Sequence, residues 1–568
     1  MIDYFKNYLK RFDLIVSNVR ALRRWQRLNQ RNLYPVWKKL LPKKKFDNIS
    51  SKKNGIKVLM APSVGGHVPM FNIESLIGAA LTERGVEVDI LICDGALPVC
   101  LECEHIKFSS KGLVARLIDK GPEKLCGSCF KPAAKAILDS AMNLQTYSQE
   151  HTSEDRLHVK EISNNIKFTD IQHYVYDGIK IGEHAYAGAL RFFGRGSIEG
   201  VEQSHPILRR YLEAALLAAI TTQRLIDKFD YDVIVLNHGI YIPQGIIAEV
   251  ARKNHKRVVA WNPGYKRGGF LFSHQDTYHH TMMTEPCSVW ENMRWEPKHE
   301  KEITDYLKSR WTGTQDWIKF HRDPNFDLKA IEDQIGIDFS KPCIGLLTNV
   351  IWDAQLHYPA NAFNSMTDWI LETIEFFINH PELQLLIRVH PAEVTGGVPS
   401  KEKVVDEINK RYKDLPENIF IIPPESTLST YVAMDQCDSV LIFGTKSGIE
   451  LTSSGIPVIV AGEAWIRGKS ITTDVSDRQD YQEQLKKLPL NSRLSEAQIL
   501  RAKKYAYHFF FRRMVPLNVV DPISDWRMFK INIDSSKDLE EGKDLGLDII
   551  CNGIINNEPF IYPAEELL

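Results

Sequence analysis

The chain has 568 residues, 43% hydrophobic and 25% charged, with a net charge of −1. That length exceeds a single core and predicts two main domains with appendages, and the balanced composition excludes a disordered chain or a broadly nucleic-acid-binding one. No run approaches the roughly 20 apolar residues of a spanning helix, and the N-terminus lacks the apolar core and small-residue cleavage site of a signal peptide, so a cytoplasmic chain is expected.

Charge is uneven along the chain. Residues 1–45 hold thirteen Lys or Arg against two Asp. Phe5, Tyr8, Leu9, Phe12, Ile15, Val16, Val19 and Leu22 recur there at helical spacing, followed by Trp25, Trp37 and the stretch PKKKF. Such a basic amphipathic helical arm (1–50) can lie peripherally on the anionic inner face of a membrane. It can equally pack on the body with a solvated basic face, and both readings stay open here.

Past a polar linker, "IKVLMAPSVGGHVP" (56–69) reads as a strand entering a Gly-Gly turn. "MFNIESLIGAALTERG" (70–85) is a helix stopped by glycine, and "VEVDILICDG" (86–95) is a second strand. This βαβ unit opens a Rossmann-like domain over 55–280. The domain carries a cysteine-rich insert (93–129) and a mostly helical stretch (130–230) before alternation returns in "YDVIVLNHG" and "KRVVAWNPG". A helical connector spans 281–340.

A second alternation fills 341–490, from strand "CIGLLTNV" through "LQLLIRVH", "NIFIIPP" and "SVLIFG" to "IPVIVAG", with helices between them. Strands separated by helices favour a parallel sheet covered on both faces. Residues 491–568 read as C-terminal helices and tail that cross back to the first half. The expected fold is α/β, with two Rossmann-like domains facing a cleft and ligands beyond the carboxyl ends of the strands.

Three strand ends in the second half carry polar residues that a core alone does not demand. They are Asn349 and Asp353 in "TNVIWDA", Arg388, His390, Pro391 and Glu393 in "RVHPAE", and Thr445, Lys446, Ser447, Gly448 and Glu450 in "TKSGIE". A strand that breaks into Thr-Lys-Ser-Gly and then opens a helix aims backbone N–H groups and hydroxyls outward, as phosphate sites do. The plain alternative is an N-cap with a first-turn Glu. Breaking a bond to a phosphate oxygen requires stabilising charge on the departing phosphate. Arg388, His390, Lys446 and the helix start offer this with no catalytic divalent ion.

"RVHPAE", "TKSGIE…SGIPVIVAG" and "IRGKSITTD" resemble the donor half of bacterial capsule-polysaccharide glycosyltransferases of GT-B fold. That group includes Kdo transferases and is similar in its His-Pro motif to GT-B sialyltransferases. "HGIYIPQGIIAEVARKNHKRVVAWNPGYKRGGFLFSH" also resembles surface-carbohydrate biosynthesis proteins, so the resemblance spans roughly 55–490. It implies that His390 contacts the donor phosphate, that Ser447 and Gly448 help hold it, and that Glu450 binds the nucleotide's ribose. It implies a nucleotide-sugar donor, with a CMP-sugar favoured, and a glycan or lipid-linked acceptor.

The acceptor hydroxyl then needs a base. His67 in "SVGGHVP" ranks first because two glycines allow close approach, Asp94 in "CDGALP" second, and His238 in "LNHGIYIP" is the third candidate. His274, Asp276, His279 and His280 fit no standard metal spacing and read as cleft or surface residues. Cys100-x-x-Cys103 and Cys126-x-x-Cys129, separated by 22 residues, have the form of a tetrahedral structural zinc site. An iron–sulfur cluster or free or redox cysteines are the alternatives, and Cys93 is a possible fifth participant. Competing functions are a CDP-alcohol polyol-phosphate transferase of teichoic-acid type, a nucleotide-sugar epimerase, and a non-catalytic polysaccharide assembly protein.

Overall fold

The computed structural model describes residues 33–44, 54–103, 114, 117–119, 121–317, 324–353, 356, 359–523 and 529–568. The helix expected over the first 32 residues lies outside them.

The first sheet contains β1 (Lys57–Ser63), β2 (Glu87–Ile92), β3 (Asn143–Thr146), β4 (Val233–Asn237), β5 (Arg257–Pro263) and β6 (Gly269–His274), in the order β3-β2-β1-β4-β5-β6. All run parallel except β6, which is antiparallel to β5. Helices α1 (Val68–Glu83), α2 (Glu123–Ile137), α3 (Ile181–Phe193), α4 (Ser204–Phe229) and α5 (Gln244–Lys253) connect and cover it. The strands read as continuous apolar runs because each feeds two cores. Val58, Met60, Val233 and Val235 pack with Phe71, Leu76 and Ile77 of α1. Their alternating neighbours Leu59, Ala61, Ile234 and Leu236 pack with Leu212 and Leu216 of α4 and Ile246 of α5.

Helix α6 (Pro297–Arg310) leads to the second sheet: β7 (Cys343–Leu347), β8 (Gln384–Arg388), β9 (Ile419–Ile422), β10 (Ser439–Ile442), β11 (Val458–Val460) and β12 (Thr473–Asp474). These run wholly parallel in the order β12-β11-β10-β7-β8-β9. Helices α7 (Met366–Ile378), α8 (Thr430–Asp435) and α9 (Ser447–Ser453) lie between its strands. The same two-core alternation recurs. Val440 and Ile442 enter one core, and Ile344, Leu346 and Leu441 enter the other.

Both sheets thus repeat the strand order 3-2-1-4-5-6 of a dinucleotide-binding domain, in which ligands sit where the first and fourth strands part. Those switch points are β1/β4 and β7/β10. The two expected Rossmann-like domains are present, and their switch points open on a shared cleft.

After α10 (Glu496–Tyr507) the chain crosses between the sheets. Strand β13 (Val515–Pro516) extends the first sheet antiparallel to β6, a short ribbon pairs β14 (Val520–Pro522) with β15 (Phe529–Ile531), and α11 (Leu545–Asn556) packs on α1. Strand β3 falls in the stretch read as helical, because four residues, "NLQT", are too few to show a period. The last part of the basic arm, residues 33–44, lies on the first domain. Trp37 and Leu41 are fully buried in the α1 core, and Tyr34 donates to the Gly65 carbonyl at 3.0 Å. Trp37 is therefore a core residue and not a membrane-interface aromatic. Among the described residues, no helix is long and apolar enough to cross a membrane.

Candidate functional site

A cleft of about 620 Å³ opens between the switch points. Its second-domain wall comes from the residues after β7 (Thr348, Asn349), β8 (His390, Pro391) and β10 (Gly444 to Ser447). Its first-domain wall includes His238 after β4 and Asn262 at the end of β5. Parallel strands point their carboxyl ends the same way, so residues distant in sequence meet here.

On the second-domain wall the donors are mostly neutral. The backbone N–H of His390 is held by Thr348 Oγ1 at 3.0 Å, and its Nδ1 accepts from Ala392 N at 3.0 Å. With Nδ1 accepting, the neutral ring carries its proton on Nε2 and acts as a donor. Asn349 Oδ1 accepts from Gly444 N at 3.4 Å, tying the β7 side of the switch point to the β10 side. Thr445 and Ser447 pair through their hydroxyls at 3.3 Å, and Ser447 N–H donates to Thr445 Oγ1 at 3.3 Å. The first N–H of α9 is therefore already engaged, and hydroxyls face the cleft beside it.

Four residues expected to hold the donor have structural duties. Arg388 lies at the cleft but is buried, and its guanidinium donates to Thr430 Oγ1 at 3.1 Å and to the carbonyls of Pro423 and Ser426. Burial pushes its pKa down to about 10, and the group clamps the loop after β9. Glu393 is buried, accepts from Val404 N at 2.9 Å and so anchors the start of the following helix. Gly448 packs α9 onto the sheet, since a Cβ there would stand 2.7 Å from Ile442 and 2.9 Å from Ile466. Glu450 is buried outside the lining and is fully occupied: Lys446 Nζ lies at 2.8 Å, Tyr431 OH at 2.6 Å and Arg310 Nε at 3.2 Å. Burial opposes its charge, but Arg310 and Lys446 prevail and hold the carboxyl at about 2. No part of this carboxylate is left for a ribose hydroxyl.

This carboxylate belongs to a buried cluster. Arg310, the last residue of α6, pairs with Asp316 at 2.5 Å, and Tyr306 OH bridges the two, donating to Asp316 at 2.9 Å and accepting from Arg310 at 3.1 Å. Arg310 and Lys446 both face the Tyr265 ring, at 5.6 and 4.9 Å from its centre. Burial and the neighbouring Arg310 push the Lys446 pKa down. Trp311 stacks on Tyr431 at 5.5 Å and 13°, forming an aromatic wall of the cleft.

On the first-domain wall, His238 sits just beyond β4 in the left-handed backbone region, φ +67°, a conformation costly for a residue with a Cβ. Its backbone N–H donates to Trp261 O at 2.8 Å, while the buried Nδ1 has no hydrogen-bond partner. Burial lowers its pKa to about 4, so the ring is neutral at pH 7 with a lone pair to offer. Arg191 of α3 lies between the Tyr241 ring, 4.8 Å away, and the Trp352 ring, 5.2 Å away. Asp353 lines the cleft, accepting from Tyr241 OH at 2.6 Å and from Arg191 at 3.4 Å, and so joins the two domains.

The other two base candidates do not line the cleft. His67 takes the N-cap position of α1 beyond the Gly-Gly turn. Asp94 accepts from Ser148 N at 3.2 Å and from the Ser148 hydroxyl, tying the turn after β2 to that after β3. His279 does line the cleft, with its pKa lowered to about 4 by burial and by His280. His280 bridges the domains, 3.1 Å from Asp276 and 3.4 Å from Glu463. Those two carboxylates raise its pKa to about 9 against the cost of burial. Sequence reasoning missed Arg191, Tyr241, Arg310, Trp311, Asp316 and also Trp465, which lines the cleft with its ring 5.4 Å from that of His279. The only hint was an Arg-Trp pair closing an otherwise polar helix.

Cys93, Cys100, Cys103, Cys126 and Cys129 lie outside the cleft lining, near the carboxyl end of β2. Among the described residues, no three His, Cys, Asp or Glu side chains already stand as a metal-binding group.

Residues 340–509 match the family model of capsule polysaccharide biosynthesis proteins. No curated protein matches the chain. Among solved structures it is similar to the KpsC beta Kdo 2,4 transferase of Thermosulfurimonas dismutans, at 13% identity and TM-score 0.34 over 50% of this chain and 81% of that one. It is also similar to the Neisseria meningitidis UDP-GlcNAc 2-epimerase bound to UDP-GlcNAc, at 11% identity and TM-score 0.22 over 79% and 96%. Sucrose-phosphate synthase of Thermosynechococcus elongatus gives 10% identity and TM-score 0.24 over 80% and 95%. The capsule-family match contains the whole second-domain wall of the cleft.

Two outcomes follow from the charges. Glu450→Gln leaves Arg310 and Lys446 under-compensated in a dry site and lowers unfolding stability by roughly 3–5 kcal/mol, measured by denaturant titration. The raised His280 pKa means that its bridge stabilises fully below the ordinary value of 6.5 and is lost as pH rises through about 9. The melting temperature should fall over that interval, and Glu463→Gln should flatten the fall.

Proposed function

We propose that the chain is a glycosyltransferase of capsule-type polysaccharide synthesis. It takes a nucleotide-activated sugar on the second-domain wall and a glycan or lipid-linked acceptor against the first. The observation that carries this is the pairing, across one cleft, of a donor-rich wall with a half-buried neutral histidine. His390 Nε2–H and the Asn349, Thr445 and Ser447 side chains meet the departing phosphate, and the His238 ring stands on the opposite, first-domain wall.

The chemistry proceeds from those positions. His238 takes the proton of the acceptor hydroxyl as its oxygen attacks the anomeric carbon. The bond from that carbon to the phosphate oxygen breaks, and the developing negative charge falls among prepositioned dipoles. No step of this proposal calls on a catalytic divalent ion. A pKa near 4 makes His238 a weak base in the empty cleft, but an anionic donor in the same cleft raises it towards neutrality. The family match over 340–509 supports the polysaccharide assignment. The His-Pro motif favours a CMP-sugar as donor.

Labelled CMP-, UDP- and GDP-sugars incubated with and without acceptor test the proposal. Nucleotide release that requires acceptor is expected. His390→Ala should lower kcat by roughly 10²–10³-fold, and His238→Ala by roughly 10²–10⁴-fold, both as folded proteins. Isomerisation of a nucleotide sugar without acceptor would identify an epimerase, and consumption of a CDP-alcohol a polyol-phosphate transferase. Either result overturns the proposal, as does full activity in both variants.

A further inference from the structure

Residues 36–44 read "VWKKLLPKK", apolar residues alternating with pairs of lysines. Trp37 and Leu41, one helical turn apart, enter the core against α1 and α2. Lys38 and Lys39 of the short helix Trp37–Leu40 are thereby left in solvent. Pro42 follows the helix end, and Lys43 and Lys44 beyond it are exposed as well. Backbone bonds fix this segment to the end of α2. Ala141 N donates to Leu41 O at 2.9 Å, Lys43 N donates to Asp139 O at 3.3 Å, and Pro42 bridges to Ser140 in antiparallel fashion.

Helix α2 is divided in the same way. Ala133, Ala136 and Ile137 are buried in the shared core, whereas Lys131 and Lys135, one turn apart, are exposed. The backbone links set these lysines beside those of the arm, so two distant stretches of sequence contribute to one basic face. Two apolar side chains are exposed with them: Val36, just before the short helix, at 44%, and Leu138, at the end of α2, at 51%. Lys38 Nζ lies 3.3 Å from Asp139, both well exposed. A pair of that kind adds little to stability, and the fold does not need the other lysines.

We propose that this face of the first domain docks on an anionic lipid bilayer. The lysines supply the attraction to acidic headgroups, and Val36 and Leu138 enter the layer between them. Because Trp37 and Leu41 hold the backbone, a folded surface carries the charge rather than a basic tail. The lysines alone would suit any polyanion, and the apolar pair beside them selects the bilayer. Taken with the transfer proposed above, a lipid surface on the acceptor domain points to a lipid-linked acceptor over a free glycan, but the docking does not rest on that reading.

Co-sedimentation of the full chain with vesicles of phosphatidylcholine, alone or mixed with phosphatidylserine, tests the proposal. Binding to the mixed vesicles only, weakened by added salt, is expected. Replacing Lys38, Lys39, Lys43 and Lys44 by Gln should weaken it by roughly 10²–10³-fold, and Lys131→Gln with Lys135→Gln by roughly 5–30-fold. The second variant leaves the arm intact and so separates a folded surface from a basic tail. Leu138→Ser should weaken vesicle binding severalfold and leave binding to heparin, a soluble polyanion, unchanged. Every substituted position is exposed, and circular dichroism checks that each variant folds. No binding to the mixed vesicles, equal binding to both kinds, or full vesicle binding in any of the three variants would overturn the proposal. The assay holds no sugar donor or acceptor, so docking and glycosyl transfer can each fail without the other.

Discussion

Two cations and two carboxylates buried together are costly unless each charge finds its partners, because the interior cannot replace the water they leave. Arg310, Lys446, Glu450 and Asp316 pair their charges only as a set, with Tyr306 and Tyr431 adding hydrogen bonds to the two carboxylates. They come from the end of α6, the loop after it, and the start of α9, and the Tyr265 ring that both cations face belongs to the first domain. The cluster therefore fixes connector, second domain and first-domain loop in one geometry, and the cleft inherits its shape from that geometry. Its charges cancel internally. What the cleft presents on the second-domain side is accordingly a set of neutral dipoles around His390, held rigidly by what lies behind them.

The same cleft shows one residue type put to opposite uses by its surroundings. His238 is half-buried, with its Nδ1 enclosed and unpartnered, and stays neutral. His280 stands between Asp276 and Glu463 and carries charge that braces the two domains. Lys469 adds a second brace, donating to the carbonyls of Met283 at 2.9 Å and Glu285 at 3.2 Å. A neutral histidine and a charged one thus stand on either side of β5 and β6.

Much of this was legible in the sequence, for a definite reason. Each parallel strand feeds two cores, so it appears as an unbroken apolar run, and the residue where the run ends is the residue at the cleft. That logic placed Asn349, His390, Thr445, Ser447 and His238 correctly at strand ends. It could not say which strand-end groups are consumed by partners far away. Glu450 looks like a ribose ligand until Arg310, in a helix that reads as solvated, is seen against it. Arg388 looks like a phosphate cation until its guanidinium is found on the carbonyls after β9. His67 and His238 both follow strands, but the Gly-Gly turn that recommended His67 carries α2 and its cysteines.

The account stands on a nucleotide occupying the second-domain wall of this cleft. Thermal unfolding of the wild type and of His390→Ala with CMP, CDP, UDP and GDP tests that directly, since a ligand that binds only the folded state raises its melting temperature. Stabilisation of the wild type by one of the four, reduced or lost in His390→Ala, is the predicted result. Indifference of the wild type to all four, or equal stabilisation of the variant, would contradict it.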